Sequence, residues 1–164
     1  MTAICARAKL TERYFYESFS SRDELLKTIL DGIADEVRDA GLTALRASDG
    51  TLEQRVRDAI ASFVTLLTDD PRKGRVAMIE SAAYEPLRAH RRAVLHGFAQ
   101  MVADEATRMY GDRAWPPHQG QINGLLFVGG LAELVTAWLN EEIAITPDEI
   151  VEAATYQFTS TAHR

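Results

Sequence analysis

The chain is predicted to be all-α, and three observations predict it. Apolar residues recur at helical spacing through almost the whole sequence. No apolar–polar alternation lasts longer than about four residues, too short for a half-buried strand. The five prolines and ten glycines among 164 residues mostly fall between periodic segments, where they punctuate rather than interrupt.

The elements follow in order. Residues 2–8 place Ile4, Cys5 and Ala8 on one face. A second short helix is expected from Thr11 to Phe19, with the Thr11 hydroxyl as its N-cap. Ser21-Arg22-Asp23-Glu24 has the spacing of a capping box and opens a helix carrying Leu25, Leu26, Ile29, Leu30, Ile33 and Val37, expected to end near Gly41. A helix from Thr51 carries Leu52, Val56, Ile60, Phe63, Val64 and Leu67 and stops at Asp69-Asp70-Pro71. The next runs from Arg72 to about Tyr84, where Pro86 can sit in the first turn of a long helix that reaches Tyr110 and stops at Gly111. Between about Gln119 and Glu142 apolar residues point in nearly every direction, so that helix must be buried on more than one side. Thr146-Pro147-Asp148-Glu149 combines an N-cap, a proline at the first position and an acid at the third, and starts the last helix.

Composition bounds the function. Hydrophobic residues make up 46% and charged residues 26%, the balance of a globular domain rather than a disordered chain. A net charge of −6 excludes a uniformly basic nucleic-acid coat but leaves room for a local one. Residues 1–27 hold five basic and four acidic side chains, so what positive charge there is leans toward the front. Cys5 is the single cysteine, which excludes an intramolecular disulfide and a cysteine metal cluster. The N-terminus does not read as a signal peptide. The apolar run over residues 125–139 is interrupted by Glu133 and reads as too short to cross a bilayer. No membrane association and a cytoplasmic location are therefore expected. No cofactor is expected either. His90, His96, His118 and His163 form no i, i+4 pair, no Glu-x-x-His occurs, and no nucleophile elbow or phosphate loop is present. The chain is not expected to be an enzyme.

Residues 2–26 carry the most specific signal. Two short helices joined by a tight turn make a helix-turn-helix, whose second helix can enter a major groove. Ile4, Ala8, Leu10, Thr11, Tyr16, Phe19, Ser21, Arg22 and Leu25 fall in the order and spacing of the DNA-binding segment of the TetR family of bacterial repressors, which this stretch resembles. Asp70-Pro71-Arg72, the run from Gly130 to Leu139 and Thr146-Pro147-Asp148-Glu149 extend the resemblance weakly over the rest. It implies a helix-turn-helix domain at residues 1–42, a helical ligand-binding and dimerisation domain at residues 43–164, operator DNA as a partner, a small and largely apolar effector, and a homodimer.

Two departures stand out. The family's turn glycine is Lys9, which costs on the order of 1 kcal/mol if its φ is positive. The family also places an amphipathic helix before Ile4, and a chain starting at Met1 does not contain it. The expectation is either a start assigned downstream of the true one, the favoured reading, or a protein that has lost that helix, and with both a front in which Ile4, Cys5 and Phe15 are partly uncovered. The chain as given is then expected to bind DNA poorly.

The resemblance assigns candidate residues. Arg13, near the start of the second helix, can grip a guanine with both ends of its guanidinium. Thr11 and Tyr16 would bond phosphates through their hydroxyls, and Arg22 would add a charged phosphate contact. Tyr14 reads either as a DNA contact or as core, and Lys9 either as a phosphate contact or as a turn residue only. Phe63, Met78, Tyr84, Phe98, Met101 and Phe127 are candidates to line an effector cavity, with His96 and Asn123 as polar anchors; ordinary core or exposed positions are the other reading of each. Leu131, Leu134, Val135, Trp138, Ile150, Ala154 and Phe158 are the candidate dimer interface, with Gly129, Gly130 and Ala132 permitting close approach. The alternative to a regulator is a helical ligand-binding, dimer-forming protein that has lost DNA binding.

Overall fold

The computed structural model describes residues 2–162; His163 lies outside them. Every described regular element is helical, as the spacing requires. In chain order these are α1 (Thr2–Ala8), α2 (Glu12–Ser18), α3 (Arg22–Ala47), α4 (Leu52–Asp69), α5 (Pro71–Gly74), a π-helical turn (Arg75–Glu80), α6 (Ser81–Ala83), α7 (Glu85–Tyr110), a short 3₁₀ turn (Gly111–Arg113), α8 (Pro117–Leu139) and α9 (Pro147–Thr161).

Local chemistry sets most of the starts. Thr51 with Gln54 and Thr146 with Glu149 each form a reciprocal capping box. The Ser21 hydroxyl accepts from the Glu24 amide at 3.1 Å, while the Glu24 carboxylate accepts from the Ser20 amide at 2.6 Å, one residue before the expected partner. The Ser20 hydroxyl also donates to that carboxylate, and the hydroxyl and then the amide of Ser20 hold the Glu24 carboxyl below its ordinary pKa. Thr11 occupies the N-cap position of α2 in extended conformation, but its hydroxyl makes no cap bond.

Three expectations are corrected. First, α3 does not end at Gly41. It continues to Ala47, because Leu45 extends the buried stripe of Leu30, Ile33 and Ala34 by further turns, so the expected boundary between residues 42 and 43 falls inside one unbroken helix. Second, the helix expected over residues 72–84 is interrupted by a π-helical turn. Ser81 is fully buried there and donates to the Ala77 carbonyl at 2.6 Å. Third, α8 has 23 residues, about 34 Å at helical rise, and by length and composition alone could cross a membrane. In this fold it packs on α7 and α9 instead.

The α7–α8 seam is built from small residues. Ala99, Ala103 and Ala106 of α7 are buried, and a Cβ on Gly124 would lie 2.3 Å from the Ala99 carbonyl oxygen. Helix α4 packs between α3 and α9. Leu67, Val135 and Ile150 form the most completely buried part of the core. Phe158 meets Phe127 and Trp115 edge-on at 5.3 and 5.9 Å, and the Trp115 indole N–H donates to the Thr161 carbonyl.

Helices α3 and α7 run alongside each other in the same direction. His90 Nε2 lies 2.7 Å from Asp31 Oδ1, and seven residues further along α3 the Arg38 guanidinium stands over the Phe98 ring at 5.7 Å. This parallel arrangement shapes the cavity between them.

Candidate functional site

A partly open apolar cavity of about 190 Å³ lies among the helices. Leu30, Ile33, Ala34, Val37, Gly41, Leu42 and Leu45 of α3 form one wall. Arg91, Val94, Leu95, Phe98, Met101, Val102, Glu105 and Met109 of α7 form the opposite wall, a single stripe at helical spacing. Helix α4 adds Val56, Ile60 and Phe63; α8 adds Phe127, Val128 and Leu131; α9 adds Phe158. The π-helical turn contributes Ala77 and Met78. Such insertions recur at functional sites because they re-aim side chains that a regular helix would carry past.

Of the candidate effector contacts, Phe63, Met78, Phe98, Met101 and Phe127 line this cavity. Tyr84, His96 and Asn123 do not. Tyr84 stands at the corner between α6 and α7, where its hydroxyl donates to Asp23 Oδ1 at 2.8 Å and its ring lies 5.5 Å from the Arg22 guanidinium. The hydrogen bond to Asp23, with help from burial, raises its phenol pKa. His96 lies off the lining stripe of α7 and is exposed. Asn123 is half-buried on α8, one turn before the first lining residue of that helix.

Arg91 is a lining residue that sequence reasoning missed, because an arginine between Arg92 and His90 looks like part of a solvated charge run. Its Nε is buried and has no hydrogen-bond partner among the described residues. Burial lowers its pKa, partly offset by the field of Glu133 on α8. The other charged liner, Glu105, is ion-paired to Arg108.

Helices α1 and α2 contact each other at the front. Thr2 Oγ1 donates to Glu12 Oε1 at 2.8 Å, and Phe15 packs on Phe19 at 5.6 Å. Cys5 and Phe15 are buried, contrary to the expectation that both would be uncovered; of the three, only Ile4 is exposed. Thr11, Arg13, Tyr14, Tyr16, Lys9 and Arg22 are all exposed, which removes the core reading of Tyr14. Arg13 pairs with Glu17 at 2.9 Å, yet its side chain is 85% accessible, and an exposed pair of this kind is easily given up. Lys9 does have positive φ, 55°.

The candidate dimer residues divide. Val135, Ile150, Ala154 and Phe158 are buried within the single chain. The final helix turns Ile150, Ala154 and Phe158 inward onto α4, and Val135 of α8 is buried in the same core, so all four side chains are already covered. Leu131, Leu134 and Trp138 are half-buried. The outward face consists of other residues: Ile122 and Leu126 on α8 and Tyr156 on α9 are exposed, and Gly129 and Gly130 look onto open space. A shallow groove between α8 and α9 holds Leu126, Gly130, Leu134, Ala153 and Gln157. Ala132 faces the interior. No group of His, Cys, Asp and Glu side chains among the described residues is arranged to hold a metal ion.

Neither a protein-family model nor a curated protein matches the chain.

Proposed function

We propose that the chain is a TetR-like, ligand-responsive transcriptional regulator that binds operator DNA as a homodimer and is released by a small, largely apolar effector. The observation that carries this reading is α3. One unbroken helix begins directly behind the exposed polar face of α2, is tied at its first turn to Tyr84, and further along forms a full wall of the cavity.

The mechanism follows from that connection. A ligand that fits the cavity better in one position of α3 than in another biases α3 toward the first. The front end of the helix then carries α2 with it. In a dimer the two copies of α2 would need a spacing near 34 Å to enter successive major grooves, and a tilt of α3 spoils it. The two ligands are thereby coupled, each weakening the other by the same factor. The outward face of Ile122, Leu126 and Tyr156 supplies the dimer contact, with Gly129 and Gly130 letting helices approach. On this reading the protein works in the cytoplasm.

Selection from a random duplex pool, followed by anisotropy on the enriched site, tests the reading. An enriched sequence should contain two half-sites one turn apart. Arg13→Ala should relax preference at one base position and cost about 1–3 kcal/mol there. Tyr16→Phe should weaken binding to all sequences alike, because a phosphate contact carries no base information. No enrichment, either with this chain or with one extended upstream in frame, would leave a ligand-binding dimer without DNA binding. The position of the cavity and outward face, which use no residue of α1 or α2, favours that second reading.

A further inference from the structure

We infer that the effector is an elongated amphiphile with an anionic head, held by the guanidinium of Arg91 at one end of the cavity and by apolar contact along the rest. The inference rests on the effector-binding reading of this cavity and names the chemistry of what enters it.

The shape comes from α7. Its lining stripe begins at Arg91 and ends at Met109, which at helical rise spans about 27 Å. A lining drawn out that far along one helix suits an extended chain better than a compact ring system. Apart from Glu105, which is paired with Arg108, the walls between the ends are aliphatic, aromatic and thioether side chains, so the body of the ligand is apolar.

The head group comes from Arg91. It lines the cavity, and its Nε–H is buried without a partner among the described residues. A buried donor left unpaired is costly, and the cost is higher on a charged group. Glu133 attracts Arg91 through its field but forms no ion pair with it among the described residues. A carboxylate or phosphate approaching side-on can take Nε–H and an Nη–H together, the geometry for which guanidinium is suited. Glu105 does not compete for this role. It lies about four turns further along α7, a carboxylate already paired with Arg108. The cavity is thus polarised, with the unpartnered Nε–H of Arg91 near the Tyr84 corner and, Glu105 apart, apolar surface beyond it. A head group at Arg91 is also next to the stretch of α3 around Leu30 to Ala34, just behind the turns that contact Tyr84.

Displacement of the neutral apolar dye N-phenyl-1-naphthylamine tests this with the full chain. Decanoate, decyl phosphate, decanol and decyltrimethylammonium would be compared below their micelle concentrations. Decanoate or decyl phosphate should displace the dye at concentrations tenfold to a hundredfold lower than decanol, on the order expected for a charge-assisted hydrogen bond. The two anions together show which head group the site takes. From octanoate to dodecanoate, affinity should climb roughly fourfold per methylene. Arg91→Met should erase the preference for the anion and leave dye and decanol binding intact. Arg91→Lys, which keeps the charge and loses the planar fork, should retain part of it and serves if the methionine variant does not fold. Equal displacement by decanol and both anions, or an anion preference that survives Arg91→Met, overturns the inference while the cavity reading stands. If neither the dye nor any amphiphile binds, the effector-binding reading fails and takes the inference with it.

Discussion

Lys9 and Glu141 occupy backbone positions normally left to glycine. Both have positive φ, 55° and 59°, and both close a helix in the same way. After α1, Leu10 N–H donates to the Cys5 carbonyl at 2.9 Å and Lys9 N–H to Ala6 at 3.2 Å. After α8, Glu142 N–H donates to Ala137 at 2.9 Å and Glu141 N–H to Trp138 at 3.0 Å. These are paired Schellman bonds, which satisfy helix-end carbonyls at the cost of a left-handed residue. Lys9→Gly and Glu141→Gly should each stabilise the fold by about 1 kcal/mol, read from denaturant melts. If Lys9 also touches phosphate, its glycine variant should be more stable and bind DNA less well. Asp70 offers a pH signature. Its carboxylate caps α5 and accepts from the Arg72 guanidinium, and this side-chain bond holds its pKa down to about 2 from an ordinary 3.8. A depressed carboxyl contributes stability that is complete above the ordinary value and disappears as the pH falls through the folded one. The stability profile of the wild type should therefore slope downward between about pH 4 and 2, and Asp70→Asn should remove that part of the slope.

Among the helices, α7 and α8 depend most on residue size. Gly124 lets α8 sit against the Ala99 carbonyl, where a methyl group would come within 2.3 Å of a backbone atom that cannot rotate away. Gly124→Ala should destabilise by about 1–3 kcal/mol as the seam is forced open. Gly97 is the matched control. It lies on α7, exposed, with nothing within 4 Å of an added Cβ, so Gly97→Ala should stabilise by about 0.5–1 kcal/mol. Calorimetry on the two variants separates a packing glycine from an incidental one; similar shifts in the same direction would contradict the seam. The joint between Tyr84 and Asp23 belongs to this scale too, because it connects the first turn of α3 to the corner preceding α7. Tyr84→Phe keeps the ring over Arg22 and loses the bond. It should leave effector affinity close to wild type while reducing the change in DNA affinity that effector produces, measured by anisotropy with and without decanoate.

For the whole molecule, the open question is what covers the outward side of α8. Ile122 and Leu126 are 56% and 66% exposed on a helix whose other sides are packed, and Tyr156 on α9 is 74% exposed. A second copy meeting this face across a two-fold axis would bury like against like, as such symmetry demands. Sedimentation at micromolar concentration should show a dimer. Leu126→Glu should convert it to a monomer, since it places a charge at the centre of the contact without touching the single-chain core. Phe158→Glu should instead unfold the chain, because Phe158 is only 4% exposed and packs on Phe127 and Trp115. A wild-type monomer would remove the basis for reading two half-sites.

Helix class and most helix starts were legible from residues alone, because hydrogen-bonding caps and apolar spacing act within a few positions of each other. Thr146-Pro147-Asp148-Glu149 and Thr51 with Gln54 fold as local chemistry dictates. The apolar character of Phe63, Met78, Phe98, Met101 and Phe127 was equally plain, and all five line the cavity. What the residues could not reveal is direction. Whether α9 spends Ile150, Ala154 and Phe158 inward or outward depends on where α4 lies, and α4 is nearly a hundred positions away in the chain. The extension of α3 past Gly41 depends on Leu45 finding that same helix. The π-helical turn has no signature in apolar spacing, since it is a response to packing rather than a propensity. Arg91 is the sharpest case. As a sequence symbol it is one charge in a charged run, and only the parallel placement of α3 beside α7 turns its Nε into a buried, unpartnered donor at the end of an apolar cavity.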